Sequence, residues 1–212
     1  MPARKNKHMV FAFGRMNTPT AGHSKLVDAV HDVARGHGAD HKVIVSHSQD
    51  SKKNPLHSDH KVDYLKHVHP GVNFEASSKE SPHFLAHLKN MHSQGYTHVT
   101  MVAGSDRVHE FQRLVDKYNG PGKEYHFKKI NVVSAGHRDP DADGVTGISG
   151  TKMRAHAANN DFESFKRGLH HRASQTHAKK LFKAVRHGMQ LKEGEVFHSF
   201  KSFLKEHSCT GS

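Results

Sequence analysis

Val10-Phe11-Ala12-Phe13 runs without a break into Gly14-Arg15-Met16-Asn17-Thr18-Pro19-Thr20-Ala21-Gly22-His23. The apolar run has the length of a short buried strand, and the glycine- and proline-bearing stretch after it leads into a helix predicted over His23–Gly38. A helix start offers backbone N–H groups and the positive end of the helix dipole, so it attracts anions. A second stretch of the same character lies far downstream: Gly147-Ile148-Ser149-Gly150-Thr151-Lys152-Met153-Arg154. Two such turns in one α/β domain point to a polyphosphate held from both sides.

Strand and helix signals alternate between them. Strands are expected at Lys42–Ser46, Val72–Ala76, His98–Ala103 and Ile130–Ala135. Helices are expected at Ser58–Val68, with Val62, Leu65 and Val68 inward, and after Ser81-Pro82, with Ser81 as N-cap and Phe84, Leu85, Leu88 and Met91 on one face. In the first helix Leu26, Val30 and Val33 form the expected face. Another helix, bearing Val108, Phe111, Leu114 and Val115, follows Gly104-Ser105-Asp106. This β-α repeat implies a doubly wound, five-stranded parallel sheet with helices on both faces. In such sheets ligands sit beyond the C-terminal strand ends. Gly14–His23, Ser46–Pro55, Gly104–Asp106 and Ala135–Arg154 all follow strands. From about Asn160 only helices are expected: Asp161–Leu169, Thr176–Gly188 and Glu195–Glu206. The organisation is an α/β domain over 1–158 and a C-terminal helical extension over 159–212, packed on it.

Composition narrows the function classes. No apolar run approaches the ~18 residues of a membrane span. Met9–Phe13, the apolar stretch behind the basic N-terminus, is shorter than the roughly 7–15 residues of a secretory leader core. Cys209 is the single cysteine, so no disulfide and a cytoplasmic setting are expected. Lys plus Arg exceeds Asp plus Glu by 32 to 20, a net charge of +12 that favours anionic partners: nucleotides, nucleic acid or phosphorylated metabolites. There is no Trp, and little aromatic interleaving for stacking on bases, so nucleic acid is the less favoured partner. The 24 histidines lack the cysteine partners of a structural zinc site. Most are expected at the surface, adding charge below about pH 6.5.

In the first motif Gly14 lets backbone approach a ligand closely. Thr20 and His23 lie three apart at a helix start, so a hydroxyl and an imidazole can face one bound group. The alternative is an ordinary loop with a capping Thr and a surface His. In the second motif Ser149 suits the N-cap, and Thr151 and the backbone amides suit terminal phosphates. Arg154, one turn later, brings a fixed cation with planar donors.

Thr20-Ala21-Gly22-His23 resembles the (H/T)xGH motif of the nucleotidyltransferase superfamily, which includes cytidylyltransferases and pantetheine-phosphate and nicotinamide-mononucleotide adenylyltransferases. Ser149-Gly150-Thr151-Lys152-Met153-Arg154 resembles its later SxTxxR motif. The resemblance covers about residues 9–158 and extends to nucleotidyltransferases of tailed phages, which would place the protein in a host cytoplasm. It implies transfer of a nucleotidyl group from an NTP to a phosphorylated acceptor by in-line attack, with pyrophosphate leaving and no covalent enzyme intermediate. On that reading His23 stabilises the α-phosphate, Thr20 holds a phosphate oxygen, and Ser149, Thr151 and Arg154 bind the β- and γ-phosphates. Gly14, Arg15 and Gly22 complete the nucleotide-binding set. Mg²⁺ bridges the phosphates, largely through ligand and water oxygens, with no metal site of protein side chains.

Other assignments stay open. Lys52 or Lys53 reaches the acceptor or the α-phosphate, or is a solvated lysine. Asp106 resembles an acidic residue that family members place by the substrate, or caps a helix. Arg138 is an anion contact, and Asp139, Asp141 and Asp143 either help hold a metal or belong to a solvated turn. Thr20 stands where many cytidylyltransferases have His, which favours ATP; Gly147-Ile148-Ser149 echoes the GIS of cytidylyltransferases. Nicotinamide mononucleotide is the acceptor suggested by an adenylyltransferase. The alternative of another class is a catalytically silent protein that binds nucleotides or nucleic acid.

Overall fold

A computed structural model describes residues 6–136 and 148–192. Its elements are β1 (His8–Gly14), α1 (Ala21–His37), β2 (Asp40–Val45), α2 (Ser58–Val68), β3 (Phe74–Ala76), α3 (Phe84–Ser93), β4 (His98–Ala103), α4 (Val108–Tyr118), β5 (Lys129–Ser134), α5 (Gly150–Ala158), α6 (Phe162–Arg167) and α7 (Gln175–Gly188). The five strands form one all-parallel sheet in the order β3-β2-β1-β4-β5. This is the expected Rossmann-like α/β fold. The chain divides into two compact units.

The first unit, Met1–Gly14, Lys25–Ser46 and Gly71–Arg138, holds the sheet. Side chains alternate across it. Phe11 pairs with Lys42 on one side and Met101 on the other. Met9, Phe11, Ile44, Val99 and Met101 join Phe84, Leu88 and Met91 of α3 and Val115 of α4 in one buried cluster. Val10, Ala12, Val43 and Val45, at the alternate positions, are fully buried as well. A sheet buried on both faces explains why its strands read as continuous apolar runs rather than alternating ones. The strand order reverses about β1, whose neighbours are β2 and β4. In doubly wound sheets a reversal of this kind marks the strand at whose C-terminal end ligands are taken.

The second unit is Arg15–Ser24, His47–Pro70 and Asp139–Ser212. Its described part holds α2, α5, α6 and α7. Phe165 of α6 and Phe182 of α7 meet edge to face at 5.1 Å, and Met153, Ala157, Leu181 and Val185 are buried with them. Arg186 is also buried. It donates to the Ala157 carbonyl at the end of α5 and, at 3.2 Å, to that of Lys192.

Four local expectations are corrected. Ser81 does not cap α3. Its N-cap is His83, which makes no side-chain cap bond, while the Ser81 hydroxyl accepts from Asn90 Nδ2 at 3.0 Å. The buried stripe of α1 is Val27, Val30 and Ala34, not Leu26 and Val33. On α3 His87 is buried and Leu85 only half-buried. On α2 Val62 is half-exposed, and Ser58, Lys61, Tyr64, Leu65 and Val68 turn inward. On all three helices part of the expected face stays inward, and tertiary packing decides which flanking positions join it. The helix expected at Glu195–Glu206 lies outside the described residues, as do Arg138, Asp139, Asp141 and Asp143. No described helix is long and apolar enough to cross a membrane.

Candidate functional site

Thr20 and His23 build a reciprocal cap at the start of α1. The Thr20 hydroxyl accepts from the His23 N–H at 3.4 Å, and His23 Nδ1 accepts from the Thr20 N–H at 3.1 Å. Thr20 Oγ1 lies 2.9 Å from the same Nδ1. This is the capping-box arrangement with imidazole in the place of a glutamate. The cap does more than end a helix. A nitrogen that accepts a backbone N–H carries no proton, so the neutral ring holds its proton on Nε2. His23 is half-buried and Thr20 buried, so the ring is held rather than swinging in solvent. The first amide of α1, at Ala21, donates to the Gly168 carbonyl at 3.0 Å and ties the motif to the end of α6.

The second motif opens α5. Ser149 is its N-cap, as expected: the hydroxyl accepts from Lys152 N at 3.2 Å and the carbonyl from Met153 N at 3.0 Å. The amides of Gly150 and Thr151 stand at the helix mouth, next to the exposed side chains of Thr151 and Lys152. This N–H and cation surface matches phosphate oxygens.

Arg154 joins the two motifs. It is 7% exposed, and Nη1 donates to the Asn17 carbonyl at 2.7 Å while Nη2 donates to Thr151 Oγ1 at 3.0 Å. Burial lowers its pKa, the Asp50 carboxylate works the other way, and the Arg15 charge adds to the lowering. An arginine stays charged under all these influences. Asn17 is itself fixed. Its side-chain amide donates to the Leu56 carbonyl at 3.0 Å and accepts from the Leu56 N–H at 3.0 Å. Gly150 belongs to the same contact: a Cβ there would stand 2.9 Å from the Asn17 carbonyl oxygen.

Lys52 and Lys53 follow β2 in a loop organised by Asp50. Its carboxylate accepts from the backbone N–H of Lys52 at 2.9 Å and of Lys53 at 2.6 Å, and from the Asn54 side chain. Burial opposes ionisation of Asp50, but these donors outweigh it and its pKa lies below the usual value. Both lysines thus take part through backbone; the Lys53 side chain is exposed and that of Lys52 half-exposed.

Arg15, Thr20, Gly22, His23, Lys52, Lys53, Ser149, Thr151 and Arg154 all fall in the second unit. Gly14 and Asp106 belong to the first. Gly14 ends β1, and its carbonyl accepts from Ser46 N at 2.9 Å. Asp106 is exposed and sits inside a 3₁₀ turn, Ser105–Arg107, whose N-cap is Gly104; Arg107 is the N-cap of α4. Asp106 is therefore not a helix cap. It bends back towards Gly104, where a Cβ would lie 2.7 Å from Asp106 Oδ1.

Sequence reasoning missed Asn17, Asp50 and Lys61. Asn17 stood in full view inside the first motif, but its partner Leu56 lies 39 residues away. Lys61 left one signal, a lysine at the spacing of the inward positions Ser58, Leu65 and Val68. Among the described residues no three His, Cys, Asp or Glu side chains are grouped to hold a metal ion.

No protein-family model matches this chain, and neither does any curated protein sequence. Among solved structures it is similar to Plasmodium falciparum nicotinic acid mononucleotide adenylyltransferase complexed with NaAD. The TM-score is 0.54 at 13% identity, over 84% of this chain and 95% of that one. A likeness at that identity establishes the fold.

Proposed function

We propose that the protein is a nucleotidyltransferase. It takes an NTP, ATP in preference to CTP, and moves the nucleoside monophosphate to the phosphate of a small acceptor. A pyridine mononucleotide such as nicotinamide mononucleotide is the favoured acceptor. An acceptor phosphate oxygen forms a bond to the α-phosphorus, the bond to the bridging oxygen breaks, and pyrophosphate leaves. The observation that carries this reading is the Arg154–Asn17 hydrogen bond, which couples the loop bearing Thr20 and His23 to the mouth of α5. The similarity to an adenylyltransferase fold supports it.

His23, with its proton on Nε2, donates to the α-phosphate and follows the charge that develops in the transition state. The Gly150 and Thr151 amides and the Thr151 hydroxyl take the β- and γ-phosphates. Arg154 supplies a fixed positive charge behind them. Lys52, Lys53 and Arg15 add cations that attract the triphosphate, and Gly22 lets the backbone of the first motif approach it. The donor set around α5 suits phosphate rather than a bare cation, so Mg²⁺ would be held through the nucleotide's phosphates and would supply neutralisation of their charge. The test is pyrophosphate release from each NTP against a panel of phosphorylated acceptors. We expect release with ATP and its loss, by roughly 10²–10³-fold, in His23→Ala. Wild-type protein that releases none with any NTP and acceptor overturns the reading.

One observation favours a second reading. Residues 164–192 hold Lys166, Arg167, Arg172, Lys179, Lys180, Lys183, Arg186 and Lys192 and no Asp or Glu, which is eight of the twelve net positive charges. Arg186 is buried and Lys180 pairs with Asp63 at 2.7 Å, so a nucleic-acid backbone would find its counter-charge among the other six.

A further inference from the structure

We propose that Lys61 is a positioning residue of the phosphate site, holding the loop that presents Thr20 and His23 by gripping the Arg15 carbonyl. Lys61 is 0% exposed, on the inward face of α2 beside Tyr64 and Leu65, and its Nζ donates to the Arg15 carbonyl at 3.1 Å across 46 residues of sequence. Burial pulls its pKa down to about 8. A buried ammonium opposes folding, and an apolar side chain of the same length would pack there without that penalty.

The loop shows what it is. Met16, next to the gripped carbonyl, is itself buried at φ +44°, a left-handed conformation that a non-glycine residue keeps only when its surroundings impose it. Three anchors impose it: Lys61 on Arg15, the Leu56 backbone on the Asn17 side chain, and Arg154 on the Asn17 carbonyl. Of the three, Lys61 is the anchor before Met16. Its charge also raises the local potential towards an anion.

The test joins amide hydrogen exchange over residues 16–20 with nucleotidyl transfer, in Lys61→Met, Lys61→Gln and Lys61→Arg. We expect exchange to rise about ten- to a hundredfold in Lys61→Met, the weight of one charge-assisted hydrogen bond, and to return towards wild type in Lys61→Arg. Lys61→Gln, which keeps a donor without charge, serves if Lys61→Met does not fold. The transfer arm rests on the proposed function, and there kcat should fall more than KM changes, because a displaced His23 loses transition-state contacts. Exchange over 16–20 unchanged in the folded variants overturns the proposal. Raised exchange together with a wild type that transfers nothing sustains Lys61 as the anchor and removes the nucleotidyltransferase reading alone.

Discussion

Gly150→Ala isolates the contact on which the site depends. Alanine in place of glycine in a helix ordinarily stabilises by about 0.5–1 kcal/mol, by restricting the unfolded chain. Gly150 has no positive φ to forbid it. Space forbids it instead: the new Cβ would stand 2.9 Å from the Asn17 oxygen and 3.3 Å from both the Asn17 carbonyl carbon and Arg154 Nη1. The nearest atom is backbone, pinned through Leu56, and cannot swing aside like the end of a side chain. Overpacking of this kind costs about 1–3 kcal/mol. If Asn17 moves away to relieve it, the 2.7 Å bond to Arg154 weakens, and a hydrogen bond to a charged group contributes about 1.5–3 kcal/mol. The clash exceeds the helix-propensity gain, so net destabilisation of about 1–2 kcal/mol is expected, or roughly 2–8 °C in Tm for a chain of this size. Gly36→Ala, in α1 with nothing within 4 Å of its Cβ, is the control and should stabilise. Denaturant melts of both variants decide it. A Gly150→Ala protein that gains stability as Gly36→Ala does would refute the close approach of Asn17 to α5.

Two further outcomes are expected. Glu75 accepts from Lys42 Nζ at 2.9 Å and pairs with the buried His87 Nδ1 at 3.4 Å; the His87 bond outweighs the burial that opposes ionisation and, with Lys42, holds its pKa at about 2. A carboxyl whose folded pKa lies below its unfolded value of 4.5 stabilises above pH 4.5 and loses that contribution as pH falls towards 2. Solvent at this 45%-exposed side chain screens the effect, so the check is the shape of Tm against pH: Glu75→Gln should flatten it between 4.5 and 2, and parallel curves would contradict the assignment. For nucleic acid, the double variant Lys179→Glu, Lys183→Glu reverses two exposed cations of α7. If a backbone docks there, the slope of log K against log salt should drop by about 2, and an unchanged slope excludes α7 as the surface.

Much of the fold was legible because each element carried its own signal. Strands buried on both faces must be largely apolar, and the buried runs Val10–Ala12 of β1, Val43–Val45 of β2 and Val99–Ala103 of β4 read as such. Ser58–Val68 and His98–Ala103 match their expected bounds. Ser149 at the mouth of α5 was readable as a hydroxyl satisfying an amide three residues on. Helix rotation was not readable. Whether α2 buries Val62 or Lys61 depends on what lies against it, and the answer is a carbonyl that a lysine can reach.

The site divides along the same line. Sequence alone determined which short segments begin helices, because capping is settled within a few residues. That Thr20 and His23 lock each other is of this kind. Tertiary structure decided that Arg154 spans 137 residues to the Asn17 carbonyl, that Leu56 holds Asn17 from 39 residues away, and that Asp50 gathers the backbone of Lys52 and Lys53. Hydrogen bonds between distant segments leave no periodicity in either one. They exist because folding buries polar groups that must then find partners, and which partners they find depends on the packing of the whole unit.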